Sequence, residues 1–175
     1  MKISCARPRG GEIRLKKNRI FNSLIMVVIM CLIITTAGIV QADDRFVDNG
    51  DGTVTDSKTG LMWAQTDSMG DIIWLDAKLY SENIILGAYA YNDWRMPTVK
   101  ELETLFDETL EKYETICGHR VKTPPLIELS CGFIWSSEER SISAFAYNFS
   151  RGYVYTDRKT HYRGFRALPV RDVTR

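Results

Sequence analysis

The sequence predicts an α+β domain behind an N-terminal export signal. Three features predict it: an unbroken apolar run near the N-terminus, two segments with helical spacing or capping in the middle of the chain, and strand-forming residues punctuated by glycine on both sides of them. Strands, then helices, then strands again are typical of two helices packed on irregular antiparallel sheets and hairpins.

Residues 1–42 have the layout of a secretory signal peptide. A basic segment precedes an apolar run at 24–40, which ends in Val40 and Ala42, two side chains that suit the pockets of signal peptidase. An inner-membrane anchor through the same run is the alternative, because 17 residues are near the shortest length that spans a bilayer. We therefore expect an exported protein, periplasmic, surface-bound or secreted, with a single domain at 43–175.

The domain opens with an acidic, glycine-rich stretch at 48–56. Its Asn-Gly and Asp-Gly pairs supply the positive φ of tight turns, and the Thr-Val-Thr that follows them favours a strand. We expect a β-meander here. A calcium loop is the alternative, but no register of this stretch places oxygen ligands and a glycine at the positions that an EF-hand loop requires.

The next segment predicts a first helix near 73–84. Leu75, Leu79 and Leu86 recur at roughly helical spacing, which directs the acidic residues between them towards solvent.

A second helix is predicted at 98–110. Thr98 and Glu101 form the T-x-x-E pattern of a capping box directly after Pro97. The apolar residues that follow have the spacing of a buried stripe: Val99, Leu102, Leu105 and Phe106.

The tripeptide Asp93-Trp94-Arg95, just before this helix, has two interpretations. Trp94 could stack on a sugar ring with Asp93 and Arg95 as ligands. We favour the structural interpretation, in which Trp94 is buried and Asp93 forms an internal salt bridge with Arg95.

The last third of the chain returns to strands. A buried strand is predicted at 132–137, a hairpin at 143–157 with Gly152 in its turn, and a closing strand at 160–171. Aromatic residues and alanines alternate along the hairpin, so they face opposite sides.

Two cysteines follow the leader, Cys117 and Cys131. In an exported protein an even pair indicates a disulfide rather than a metal site, and closing a loop of this size is worth roughly 3 kcal/mol in the chain-entropy model. We expect no metal site and no cofactor.

Charge is distributed unevenly along the chain. The full sequence has 23 basic and 22 acidic residues, of which the predicted leader holds seven and one. The remaining 16 basic and 21 acidic residues give the domain a net charge of −5. This balance argues against a nucleic-acid-binding protein. Residues 140–175 carry eight basic residues and two acidic ones, so the positive charge is concentrated at the C-terminal end.

This basic end is the best candidate for ligand binding. Arginine forks match sulfate and carboxylate groups, and tyrosines offer stacking faces. The alternative is that the arginines pair with acidic groups of the same domain, and we assign Arg166 to such a structural role. The candidate ligand-binding residues are Arg158, Lys159, Arg163, Tyr153, Tyr155 and Tyr162.

Several stretches together resemble a known bacterial family. The most specific are DNGDGTVTDSKTGLMWAQ at 48–65 and YNDWRMPTVKELETLFD at 91–107. In this order they resemble the Lcl C-terminal domain, a domain of unknown function named after a Legionella collagen-like adhesin. The resemblance implies a C-type-lectin-like fold, similar to that of formylglycine-generating enzymes, an exported location and, for the adhesin, binding of sulfated glycosaminoglycans.

The chain departs from this family at two positions. Relatives often have a cysteine where this chain has Ser81, and their closing strand often carries another near Gly164 and Phe165. A disulfide joining those positions is therefore not expected. The cysteine pair of formylglycine-generating enzymes does not carry over either, because no cysteine follows Cys131.

These observations favour an exported, non-catalytic binding module rather than an enzyme. No nucleophile elbow, zinc-protease motif, phosphate loop or dinucleotide fingerprint occurs in the sequence. We expect the partner to be an anionic polysaccharide or glycosaminoglycan. The alternative is a surface or periplasmic protein bound without glycan specificity. No nucleic-acid partner is expected, and contact with a membrane is expected only through the N-terminal segment.

Overall fold

The structure is a computed structural model that describes residues 45–86 and 92–173; the predicted leader lies outside these ranges. Among the described residues, no helix has the length and apolar character needed to cross a membrane. The strands and helices of this part are β1 (Phe46–Asp48), β2 (Thr53–Asp56), β3 (Leu61–Ala64), α1 (Trp74–Asn83), α2 (Val99–Glu103), β4 (Tyr113–Glu114), β5 (Arg120–Val121), β6 (Phe133–Arg140), β7 (Ser143–Asn148), β8 (Tyr153–Arg158), β9 (Phe165–Arg166) and β10 (Val170–Asp172). The α+β class predicted from the sequence is confirmed.

The N-terminal sheet has the strand order β1-β2-β3-β10, and all of its pairs are antiparallel. Its first three strands are the predicted meander. Val54 and Val170 both lie opposite Trp63, and all three side chains are fully buried. Among the described residues, the last strand, β10, thus closes the sheet that β1, β2 and β3 begin.

The turn between β1 and β2 is built by its own acidic side chains. Asp48 accepts a hydrogen bond from the backbone of Gly50, and Asp51 accepts from the hydroxyl of Thr53 at 2.6 Å. Gly50 and Gly52 have φ of 73° and 83°, as the predicted tight turn requires. The hairpin interpretation of this stretch is therefore confirmed.

The C-terminal sheet has the order β8-β7-β6-β9, with β9 parallel to β6. Side chains alternate between two buried clusters, one on each face. Ile134 and Tyr147 join the larger cluster, which continues into the N-terminal sheet, whereas Trp135 and Ala146 join the smaller one beside α1. The predicted hairpin with Gly152 in its turn is confirmed.

The first helix forms where it was predicted, but its buried face is different. Trp74, Ala77 and Ser81 are buried, whereas Leu75 and Leu79 are 54% and 50% exposed. Trp74 fixes this orientation, because its indole nitrogen donates to the carbonyl of Ser136 at 2.8 Å in the core.

The second helix begins at the predicted residue and ends early. The capping box between Thr98 and Glu101 is present in both directions, but the helix ends at Glu103 rather than near 110. Residues after it form tighter turns, in which Leu105 donates to the carbonyl of Leu102 at 3.1 Å. Leu102 and Leu105 are nevertheless buried as the stripe predicted.

The predicted closing strand at 160–171 is two strands in two different sheets. β9 pairs with β6, and β10 pairs with β3. Pro169, which has no backbone N–H, lies between them, so one continuous strand was the wrong expectation.

The predicted salt bridge between Asp93 and Arg95 is also wrong. Arg171 donates two hydrogen bonds to Asp93, and Arg95 donates two to Glu101. Trp94 is buried as expected. The expected disulfide between the two cysteines is present.

Candidate functional site

The predicted ligand-binding residues are spread along the whole of β8 and the loop after it, and they lie on both faces of the C-terminal sheet. Tyr153 and Tyr155 lie on the same face of β8, because they are two residues apart in a regular strand. Arg158 has the opposite parity and lies on the other face. The structure therefore does not bring Arg158 together with the tyrosines.

Arg158 has a different basic neighbour, which the sequence analysis missed. The register places Ser143 opposite both Arg140 of β6 and Arg158 of β8. Directly paired residues share a face, and neighbouring strands are about 4.8 Å apart, so the Cα atoms of the two arginines are roughly 10 Å apart. We call Arg140 and Arg158, with Ser143 between them, the arginine row.

Both arginines of the row are exposed. Within the described part of the chain, neither guanidinium forms a hydrogen bond or a salt bridge. Glu139, the acidic neighbour of Arg140 in the chain, points to the opposite face and pairs with Lys159. The row is thus a concentration of positive charge on an otherwise acidic domain.

Lys159 is occupied by the domain itself. Its ammonium group pairs with Glu139 and lies 4.9 Å from the ring centre of Trp74, a cation–π distance. Lys159 therefore follows the alternative interpretation from the sequence, in which basic residues pair with acidic groups of the same domain.

Tyr155 is also held by packing, whereas Tyr153 is more available. Tyr155 is half-buried, and its ring lies 5.2 Å from that of Phe133 and 6.3 Å from that of Phe165. Tyr153 is 41% exposed and meets only the edge of the Tyr155 ring among the described rings. It leaves a free aromatic face at the edge of the sheet.

The loop between β8 and β9 carries the last two predicted residues, Tyr162 and Arg163, and both are exposed. Arg163 lies near Asp71. Hydrogen bonds from the Arg166 guanidinium and from the Gly164 backbone, with a smaller contribution from the charge of Arg163, hold the pKa of Asp71 below its usual value. The direct partner of Asp71 is thus Arg166, which leaves Arg163 at the surface.

Arg166 has the structural role assigned to it from the sequence. It is 5% exposed, and its Nε donates to the hydroxyl of Ser130 at 2.7 Å. That hydroxyl donates to Asp67, whose carboxylate also accepts from the Ser130 backbone, each at 2.7 Å. This buried network ties β9 to the residue before Cys131.

The disulfide lies next to this loop. An added Cβ on Gly164 would lie 3.6 Å from the sulfur of Cys131. His119 also lies beside the disulfide, and its ring meets that of Phe133 edge-on at 5.7 Å. Cys117, His119 and Cys131 each offer a potential ligand atom, and these atoms all lie within 4.8 Å of one another.

A separate cleft of about 340 Å³ lies between α1 and the start of α2. Its main ionisable pair, Arg95 and Glu101, serves the structure. Burial raises the pKa of Glu101, but hydrogen bonds from Arg95 and from the Thr98 backbone outweigh it, so this pKa is lowered overall. The carboxylate is therefore charged and engaged in capping α2.

The sequence contains a feature that predicts the arginine row, namely the short connection between Arg140 and Ser143. Arg140 and Ser143 are separated by two residues, of which Ser141 has a φ of 55°. A two-residue hairpin connection fixes its register, and that register sets Arg140 opposite Ser143. For His119 the signal is its position two residues after Cys117.

Comparison with known proteins supports one family. Residues 52–171 match the family model described as the Lcl C-terminal domain. A comparison with curated proteins found no match. The matched region is more than half of the chain and contains the arginine row, the disulfide and the capping box of α2. The chain therefore belongs to the Lcl C-terminal domain family.

Proposed function

We propose that this protein is an exported, non-catalytic module that binds an anionic polymer, of the sulfated or carboxylated glycan class, through the arginine row. The observation that carries the proposal is the arginine row itself: two exposed guanidinium groups on one face, with no acidic partner among the described residues. Tyr153 and the loop with Arg163 lie towards the other end of the sheet, beside Asn148 and Phe165.

The chemistry of these groups fits an anionic glycan. A guanidinium group offers two parallel N–H donors that match the oxygens of a sulfate or carboxylate. Two such groups roughly 10 Å apart can engage successive charges of a linear polymer rather than one small anion. Binding is expected to be weak at each site and sensitive to salt, because the groups are exposed.

A non-catalytic role is supported by the engagement of several ionisable groups in the structure itself. Arg95 and Glu101 cap a helix, Asp67 is bonded to Ser130, and His161 is hydrogen-bonded to Asp157. Exposed guanidinium groups bind anions but do not supply a proton acceptor near neutral pH.

Heparin affinity chromatography across a salt gradient tests the proposal. The double substitution Arg140→Ala with Arg158→Ala removes the arginine row without touching the core. At roughly 1 kcal/mol for each exposed ion contact, it should weaken binding by about 10- to 30-fold and shift elution to lower salt.

The matched control is Lys58→Ala with Arg120→Ala. This variant loses the same formal charge from exposed positions outside the arginine row. It should elute close to the wild type. Equal shifts in elution for the two double variants would mean that heparin binding depends only on the net charge of the protein. Elution of the wild type without added salt would also contradict the proposal.

A second candidate function is protein binding at the edge of the C-terminal sheet. β8 pairs only with β7 in the described part, so its outer edge offers a template for strand addition. The exposed side chains of Val154 and Tyr153 lie along it. A partner bound equally well by the wild type and the arginine-row variant, with protection of β8 amides from hydrogen exchange, would favour this function.

A further inference from the structure

Cys117, His119 and Cys131 form a cluster that the glycan-binding proposal does not use. The short β4–β5 hairpin carries Cys117 and His119 in its turn, where the backbone of Thr115 donates to the carbonyl of His119 at 2.8 Å. The backbone of Cys117 donates to the carbonyl of Ser130, which holds the hairpin against the residue before Cys131. Two thiol positions and an imidazole are thus fixed together by the backbone.

His119 has an unsatisfied nitrogen in this cluster. Its Nδ1 atom is buried and has no hydrogen-bond partner among the described residues, and the same holds for the hydroxyl of Ser150. Both atoms crowd Gly132, where an added Cβ would lie 2.3 Å from Nδ1 and 3.0 Å from the hydroxyl. Buried polar atoms without a partner are rare because they lose their hydration without compensation. An imidazole left in this state beside two sulfur atoms is suited to a metal ion.

We propose that reduction of the disulfide converts this cluster into a binding site for one thiophilic divalent cation of the zinc class, held by the thiolates of Cys117 and Cys131 and by His119. In a tetrahedral zinc site with bonds of about 2.3 Å to sulfur and 2.0–2.1 Å to nitrogen, neighbouring donor atoms lie roughly 3.5–3.8 Å apart. The three donors here lie within 4.8 Å of one another, so side-chain adjustments without a change of fold can reach that geometry. Three protein ligands leave the fourth position to water.

The disulfide and the metal are mutually exclusive occupants of the site, and the switch between them needs two electrons. A dithiol reductant supplies them: its thiolate attacks the sulfur of Cys117, which belongs to an exposed residue, and Cys131 leaves as a thiolate. The second thiol of the reductant then resolves the mixed disulfide and leaves oxidised. The two protons lost by the reductant pass to the cysteines and are released when the cation binds the thiolates.

Zinc uptake by the purified full chain tests this proposal. The protein is dialysed against zinc with or without a phosphine reductant, which becomes the phosphine oxide as it reduces the disulfide, and bound zinc is counted by mass spectrometry. We expect one zinc per reduced chain and none per oxidised chain. Cobalt in place of zinc should give sulfur-to-cobalt charge-transfer absorption in the reduced protein only.

His119→Ala is the decisive variant, and His161→Ala is its matched control. Removing a residue that only hydrogen-bonds to a metal ligand weakens metal affinity by about 10- to 100-fold. Removing His119, a direct ligand, should therefore lower the zinc affinity by at least about 100-fold. The control should bind zinc as the wild type does, because His161 lies outside the cluster. Zinc should also raise the melting temperature of the reduced wild type and not that of the oxidised protein.

Three results would overturn the proposal. The first is equal zinc uptake by oxidised and reduced protein. The second is no uptake after reduction, whether or not the reduced chain stays folded by circular dichroism. The third is uptake that His119→Ala leaves unchanged, which would show that free thiols alone capture the ion. The heparin experiment does not depend on any of these outcomes, since the arginine row contains no residue of the cluster.

Discussion

Gly152 offers a direct test of the packing behind the β7–β8 hairpin. Its φ is +70°, and an added Cβ would lie 2.3 Å from the ring of Phe106, which packs edge-on against Tyr147. Gly152→Ala therefore carries about 1–2 kcal/mol of left-handed backbone strain and about 1–3 kcal/mol for displacing the ring. We expect a loss of roughly 2–5 kcal/mol in the free energy of unfolding, measured by urea denaturation.

Gly50→Ala is the control for the backbone contribution alone. Its φ is +73°, and an added Cβ meets no atom within 4 Å. It should cost only about 1–2 kcal/mol. In a Phe106→Ala background, Gly152→Ala should fall to the same value, because the clashing ring is gone. Equal costs for Gly152→Ala and Gly50→Ala in the wild-type background would refute the clash.

Two further predictions concern buried and capping charges. Arg166→Ala should lower the free energy of unfolding by about 3–5 kcal/mol in urea denaturation, because it leaves the buried Ser130–Asp67 pair without its cation; a loss below about 1 kcal/mol would contradict the network. Glu101→Gln should cost about 1–2 kcal/mol at neutral pH, because it removes the cap and the partner of Arg95. The pKa of Glu101 is lowered in the folded state, so its stabilisation is complete above the unfolded value of about 4.3 and is lost as the pH falls through the folded pKa. The difference in melting temperature between Glu101→Gln and the wild type should therefore become smaller in acid. A difference that does not change with pH, or one equal to that caused by Glu103→Gln, would rule this explanation out.

Features set by neighbouring residues in the chain could be predicted from the sequence. The capping box needs only Thr98 and Glu101, three residues apart, and it formed as predicted. The tight turn at 48–53 needs only Asn-Gly and Asp-Gly pairs. The disulfide followed from there being one cysteine pair after the predicted leader.

Features set by tertiary contacts could not be predicted in the same way. Leucine spacing predicted that one face of α1 is buried. The ring of Trp74 instead donates a hydrogen bond to the carbonyl of Ser136, 62 residues later in the chain, and this contact orients the helix so that another face is buried. Arg171 lies 78 residues after Asp93 and replaces the nearer Arg95 as its partner. Local spacing contains no information about such pairs.

The candidate site shows the same division. Its basic residues could be found by counting charges, but their grouping depended on strand register. Register placed Arg158 beside Arg140 and away from the tyrosines, and it gave Lys159 an acidic partner, Glu139. The prediction of an anionic partner is unaffected, while the residues expected to hold it have changed.

The claim that the arginine row binds an anionic glycan can be tested by mapping a heparin oligosaccharide on the isotope-labelled protein by NMR titration. We expect the backbone amides around Arg140, Ser143 and Arg158 to shift together, with one affinity that weakens as the salt concentration is raised. A neutral oligosaccharide of the same length should leave them unmoved. Shifts confined to other surfaces of the domain, with the arginine row unchanged, would contradict the claim.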